Sequence, residues 1–223
     1  MDHTFRHDRS VAEIASPRRR RRSIFLKMNM SPARPNSESL EDLRREIFSL
    51  LARAVADRRS PMRTPALATT DPAGRPSVRT VVLRAWDPAR AKMQIHTDVR
   101  SQKVLHLSER PAAAMLFWDP GQRLQLRIDG DVRTSVDDAV AHAAWSKVPK
   151  AAQRLYGLSP APGVKLGAPT DYRFSEEDAG ANFCVLTVQV ERLEALKLLP
   201  DGHQRAAFSW PSPSVCEASW LAP

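Results

Sequence analysis

From residue 40 onward the apolar positions recur at helical spacing: Leu40, Leu43, Ile47, Leu50, Leu51 and Val55, with Glu41, Asp42, Arg44, Arg45 and Glu46 on the other positions. Ser39 with Asp42 three residues later gives this run a capping-box-like start. The spacing predicts a helix over Leu40–Ala56 whose apolar stripe seeks a core or a partner. After it the period changes. Residues 66–70, 77–84, 93–97, 112–118 and 123–132 are short runs rich in valine, leucine and alternation, and they predict strands. Between some of them stand Asp71-Pro72-Ala73-Gly74, Asp87-Pro88-Ala89-Arg90 and Asp119-Pro120-Gly121-Gln122. Proline presets φ for a tight reversal, and the aspartate before it can accept from the turn's own backbone. Hairpins of this kind predict an antiparallel barrel or sandwich and argue against a doubly wound sheet.

Two short helices interrupt the strands. Ser101 is placed to cap a helix through Val104, Leu105 and Leu107, and residues 136–145 read as another. Residues 146–170 are rich in Pro, Lys and Gly and predict a long loop around a short helix. Residues 183–190 are the cleanest late strand, and residues 205–210 with a final piece ending at Pro223 close the chain. The expected fold is mainly β with flanking helices, in one domain over residues 38–223 behind a basic, disordered leader at 1–37.

With 223 residues and 42% hydrophobic content the chain has enough apolar material for one ordinary core. The net charge of +9 is unevenly spread: residues 1–27 carry eight basic side chains, five of them the arginines at 18–22, against Asp2, Asp8 and Glu13. A protein-wide nucleic-acid surface is therefore not supported, although the arginine run itself suits a polyanion. Residues 21–27 look like a twin-arginine export signal, but residues 28–35 are polar and proline-broken where an apolar segment should follow. Export is rejected, and Met28 and Met30 leave open an upstream-start origin for the leader. No apolar run reaches the roughly 18 residues of a membrane-spanning helix. Cys184 and Cys216 stand far apart without a second pair or a nearby histidine, so neither a disulfide framework nor a cysteine-based zinc site is expected. A cytoplasmic protein is the simplest reading.

The usual supports of hydrolases and nucleoside-triphosphate enzymes are missing. The sequence contains neither common phosphate-binding glycine loop, nor a nucleophile elbow, nor a zinc helix, and its six histidines have no metal-ligand spacing. What remains is a set of basic residues at strand ends, expected at the rim of a small closed sheet. Arg79 and Arg84 flank a mostly apolar strand, and His96-Thr97-Asp98-Val99-Arg100-Ser101-Gln102-Lys103 leaves a strand, turns and opens a helix. A helix N-terminus with serine, arginine and lysine suits a phosphate dianion. The plain alternative is that Ser101 only caps while Arg100 and Lys103 are solvated. Further on, Arg123, Gln125, Arg127 and Asp129 share one face of a strand and Leu124, Leu126 and Ile128 the other. Gln125, both donor and acceptor, suits the edge of a heterocycle, or that face simply meets water.

Taken together, residues 79–84, His96-Thr97 with Ser101 and Lys103, Phe117-Trp118 and residues 125–130 resemble the pyridoxamine 5′-phosphate oxidase family of FMN-binding split barrels, over roughly residue 40 to the C-terminus. The resemblance implies an antiparallel split β-barrel and a homodimer with two FMN sites at the subunit interface. It implies that Arg79, Ser101 and Lys103 hold the FMN phosphate, helped by Arg84 or Arg100. The backbone of Val81 and Val82, with Thr97, would line the flavin; Gln125 would bond its ring, and Arg205 would contact it. His203 is a substrate-side candidate, and no catalytic side chain is assigned, because a flavin takes hydride on its own ring.

Departures concern the substrate side. The family's Arg-Pro pair that helps grip a substrate phosphate reads Val148-Pro149 here, and its Gln-Ser pair has no clear counterpart in Ser159-Pro160-Ala161-Pro162. Its Arg-x-His segment reads Asp201-Gly202-His203, and its closing Arg-Leu-x-Pro reads Trp220-Leu221-Ala222-Pro223. The expectation is an FMN-dependent oxidoreductase of a divergent branch, acting on a different small molecule. Two alternatives stand beside it: a non-catalytic flavin carrier or sensor, and a nucleic-acid binder acting through the arginine-rich leader.

Overall fold

The computed structural model describes residues 39–175, 177–212 and 215–223. The arginine run at 18–22 and the expected domain boundary near residue 37 lie outside the described residues.

The first helix, α1, spans Leu40–Ala56 as its pattern predicts. Ser39 Oγ accepts from the Asp42 amide at 3.1 Å, satisfying one of the free donors of the first turn. Leu43, Ile47, Leu50, Leu51 and Ala54 form its buried stripe. On the flank, Phe48 meets Trp86 edge-on, with ring centroids 5.2 Å apart.

The strands are β1 (Ala66–Thr70), β2 (Pro76–Thr80), β3 (Leu83–Asp87), β4 (Lys92–Asp98), β5 (Ala112–Asp119), β6 (Leu124–Ser135), β7 (Leu158–Ser159), β8 (Arg173–Phe174), β9 (Phe183–Lys197), β10 (Gln204–Ser212) and β11 (Val215–Leu221). Helices α2 (Gln102–Glu109), α3 (Ala139–Trp145) and α4 (Lys150–Gln153) lie between them. The three Asp-Pro turns close hairpins as expected. Asp71 accepts from the Arg75 amide, Asp87 from those of Ala89 and Arg90, and Asp119 from those of Gly121 and Gln122.

Every pairing in the main sheet is antiparallel, in the order β11-β10-β9-β6-β5-β1-β2. Strand β9 forks the sheet. One of its edges bonds β6 along almost its whole length, while the other pairs β4 over residues 183–189 and β10 over residues 192–197. Among the described residues no ladder joins β2 to β3, so the sheet stays split and open, and the closed rim expected from sequence is corrected. Inside lie Leu67, Met93, Ile95, Met115, Phe117, Leu126, Ile128, Leu186, Leu193 and Phe208, packed under the α1 stripe.

Three other expectations change. The single strand read over 77–84 is two, broken at Val81 and Val82 where the Val81 amide turns to the Pro65 carbonyl at 3.0 Å. The helix read from residue 136 begins at Ala139, capped by Asp138, whose side chain accepts from the Ala141 amide. The late strand continues to Lys197, although residues 191–197 are good helix formers, because β6 and β10 claim both of its edges.

At the fork the β6–β9 register shifts between Asp129 and Gly130, which pair with Arg192 and Val190, so β9 bulges at Glu191. A Cβ on Gly130 would lie 2.0 Å from the backbone oxygen of Gln189, so only glycine lets the two longest strands approach there. Gly130→Ala should lower stability by about 2–3 kcal/mol, as overpacking against backbone does. Chemical denaturation of the purified variant measures it.

Candidate functional site

The strand alternation and the start of α2 gather one group of the expected residues. Arg79 pairs across the ladder with Leu67 and so shares its core-facing side. Its guanidinium donates to the Leu67 carbonyl (3.2 Å), Thr69 Oγ1 (2.7 Å) and Ser77 Oγ (2.7 Å). Thr97 faces inward from β4, and Lys103 Nζ donates to Thr97 Oγ1 (2.9 Å) and Ser101 Oγ (3.0 Å). Ser101 occupies the cap position of α2 without capping by its side chain: its hydroxyl donates to the Asp98 carbonyl at 2.7 Å. The serine is thereby fixed as an acceptor beside the lysine.

Neither Arg79 nor Lys103 forms an ion pair among the described residues. Burial pulls the Lys103 amine below its ordinary range, and the nearby Arg79 charge adds to that; burial alone lowers Arg79. Two like charges held in a half-buried polar corner, at the N-terminal end of an eight-residue helix, suit an anion that would relieve both. The donor set of guanidinium, ammonium and two hydroxyls fits the phosphate tail of a flavin nucleotide.

Sequence reasoning missed the support beneath Arg79. Thr69, buried on β1, accepts from Arg79 and lies 3.0 Å from Nδ1 of the buried His106 on α2. A hydrogen on Thr69 Oγ1 directed to Nδ1 satisfies all three groups. The signal available was positional: Thr69 alternates with Leu67, and His106 sits on the buried side of α2 with Val104 and Leu107.

Other expected residues go elsewhere. Arg100 does not join the cluster. Asp98 holds its guanidinium at 3.0 and 2.6 Å, which raises its pKa, and the Leu158 carbonyl accepts from it at 2.8 Å. Arg100 therefore ties the β4–α2 turn to the segment after α4. Val81 is buried and Val82 half-buried at the joint between β2 and β3. His203 is exposed in the turn before β10, where its Nδ1 accepts from the Leu199 amide at 3.3 Å.

Gln125 and Arg205 do meet, on the outward face of the sheet. In register Trp118 opposes Gln125, and Leu196 opposes both Gln125 and Arg205. They line a 190 Å³ hollow with Arg127 and Glu194. Glu194 accepts from Arg205 and Arg192, each at 2.7 Å, which holds its carboxyl below the usual range.

Arg84 faces a third place, a cleft of about 880 Å³ bounded by β3, β4, α3, α4 and the segment after α1. His96 lies in it, its ring edge-on to Phe183 at 5.0 Å. Burial, helped by the Arg84 charge, lowers the His96 pKa to about 4.

An antiparallel split sheet with an anion corner at a helix start defines a flavin-nucleotide-binding class of fold, and comparison with known proteins agrees. The family model described as pyridoxamine 5′-phosphate oxidase, FMN-binding domain, matches residues 45–136. The pyridoxine/pyridoxamine 5′-phosphate oxidase of Bradyrhizobium diazoefficiens is 42% identical over 88 residues, 40% of each chain. That of Rhodopseudomonas palustris is 38% identical over 114 residues, 51% of this chain and 50% of its own. The chain thus spans about half the length, or less, of these curated relatives. Among solved structures, a pyridoxamine 5′-phosphate oxidase-related FMN-binding protein from Nostoc punctiforme superposes with a TM-score of 0.66 at 26% identity, covering 81% of this chain and 96% of its own. PhzG from Burkholderia lata shares the fold, with a TM-score of 0.61 at 20% identity over 85% of this chain and 94% of its own. Residues 45–136 thus match the FMN-binding domain of the pyridoxamine 5′-phosphate oxidase family, a domain whose cofactor is FMN.

An unfolded chain protonates His96 near pH 6.5, whereas the folded protein keeps it neutral down to about 4. Acidification through that window therefore favours the unfolded state. The His96 ring should still read as neutral by NMR at about pH 5. His96→Gln should flatten the fall in denaturation midpoint between those two pH values.

Proposed function

We propose that the chain is an FMN-dependent oxidoreductase, acting as a homodimer on a small molecule other than the family's vitamin phosphate. The observation that carries this reading is the pair Arg79 and Lys103, brought close together with no ion pair to either among the described residues and braced by Thr97, Ser101 and Thr69. These residues would hold the FMN phosphate, with the Val81 and Val82 backbone beside the flavin. Bound FMN supplies a ring that accepts two electrons with a hydride. The chain's own task is to seat the cofactor, orient the substrate against it and keep water away.

The homodimer is supported by where the two halves of the site lie. Arg79 faces inward on β2 and Gln125 outward on β6, three strand spacings or roughly 14 Å away across the same sheet. One flavin would then take its phosphate contacts from one protomer and Gln125, with Arg205, from the other. Beside the charged Arg127, Glu194 and Arg205, the outward face around Gln125 leaves Leu116 and Trp118 43% exposed each, and Val78, 64% exposed, lies farther along the same face of the sheet. Such a patch suits a second copy of the same sheet.

On the substrate side, Val148 and Pro149 line the cleft that Arg84 and His96 enter, so the residues standing in place of the family's phosphate grip face the same space as Arg84 of the expected site. We take residues 38–223 as one functional domain located in the cytoplasm. A flavin carrier without turnover remains the second reading, favoured by the lost grip at Val148, and reduction kinetics separate the two.

The purified chain should be yellow and should release FMN on denaturation, identified by mass. Reduction of the bound flavin by an added organic donor would support the enzyme over the carrier. Arg79→Ala combined with Lys103→Ala should weaken FMN binding on the order of 100-fold, as loss of two charge-assisted contacts implies, and should leave riboflavin affinity unchanged. Thr69→Val should show the same selectivity more mildly. Leu116→Glu should give a monomer by light scattering that holds FMN poorly; a dimer with full flavin content would count against the shared site.

A further inference from the structure

The 880 Å³ cleft has two unlike walls. One is cationic: Arg84 on β3, with Arg58 and Arg63 from the segment after α1. The other, from α3 and α4, is built largely of Val140, Ala144, Val148 and Leu155, with Lys147 beside them. No aspartate or glutamate lines the space, and none of its four cations forms an ion pair among the described residues.

Arg63 is the best-placed of these cations. Its Nη1 donates to the carbonyls of Ala54 and Val55 at 3.0 and 2.8 Å, the free acceptors at the end of α1, so the guanidinium is pinned. Desolvation, then the neighbouring Arg84 and Arg58, lower its pKa, and Asp57 offsets them only in part. Between the walls His96 and Gln94 contribute neutral polar edges, His96 being uncharged at neutral pH. A volume of this size is that of a drug-like ligand, well above what an inorganic anion needs.

We propose that the cleft binds an organic anion with an apolar ring or alkyl body, its charged head on Arg63 and Arg84 and its body against the Val140, Ala144, Val148 and Leu155 wall. This rests on the oxidoreductase reading and names the substrate class for it. The grip has moved: where the family places a phosphate-holding arginine on the α3–α4 side, this chain has Val148, and Arg58 and Arg63 supply positive charge from the opposite wall. The head group is a carboxylate or a phosphate monoester, both served by a guanidinium pair.

The test uses the full chain loaded with FMN and isothermal calorimetry with four probes: 1-naphthoate, 1-naphthyl phosphate, 1-naphthalenemethanol and inorganic phosphate. At least one naphthyl anion should bind tenfold or more tightly than the alcohol, and inorganic phosphate should not displace it; the tighter of the two anions names the head group. Arg63→Met should weaken that anion about tenfold or more with FMN content unchanged. Arg63 also caps α1, so two further variants guard against misfolding. Arg58→Ala, at an exposed side chain, should cost about twofold, and Val148→Glu should weaken the anion as much as Arg63→Met. Equal binding of alcohol and anions, efficient competition by inorganic phosphate, or full anion affinity in both Arg63→Met and Val148→Glu would overturn the proposal. A chain that never takes up FMN yet prefers the naphthyl anion would sink the flavin reading and keep the cleft; a yellow chain indifferent to both anions would do the reverse.

Discussion

Strands β6 and β9 form the spine on which the rest of the sheet depends, and their union is a constraint as much as an attraction. They pair over residues 124–135 and 185–197, and every other strand of the main sheet joins one edge or the other of this ribbon, directly or through a neighbour. So long a pair must twist and bend to enclose a core. The bulge at Glu191, opposite Asp129 and Gly130, permits the bend, and the absent side chain of Gly130 permits the approach. Because β9 outruns any single partner on its far edge, β4 and β10 divide it, and the sheet forks there. The same long strand thus carries β4, with Thr97 near its end, and β10, with Arg205 near its start.

Charge is distributed accordingly. Where a cation is structural, an acid accompanies it: Lys197, almost fully buried, has Glu46 at 2.9 Å, and Arg100 has Asp98. The cations of the anion corner and of the cleft lack such partners among the described residues. An unpaired cation away from bulk water costs free energy unless something anionic completes it. The difference between these two sets, rather than the basic composition of the whole chain, separates scaffold from site.

Much of this was readable from residue order. The helix over Leu40–Ala56, the three Asp-Pro hairpins, and the inward set Leu124, Leu126 and Ile128 follow from periodicity and turn chemistry, which are local properties. The grouping of Ser101 and Lys103 was legible because a helix start fixes directions over a few residues, whereas Arg79 was joined to them only through the family resemblance. Arg100, a phosphate candidate by its place in the sequence, is held by Asp98 two residues earlier, a pairing that helix-start position alone does not reveal. The late strand reads as ending at residue 190, since the helix-forming composition of residues 191–197 is overruled only when two neighbouring strands claim their backbone groups.

What the chain order determined, then, is the set of elements, the inward and outward faces of each strand, and the chemical kind of its anion corner, since all three depend on neighbours within about one helical turn or one hairpin. Tertiary structure alone decided that β9 would be shared, that His106 would stand behind Thr69, and that Arg58 and Arg63 would face Val148 across a cleft. Thr69 and His106 are 37 positions apart, β4 and β9 pair residues 85 to 97 apart, and Arg58 and Val148 are 90 apart, and nothing in a local pattern encodes which distant segment arrives at a shared edge or space.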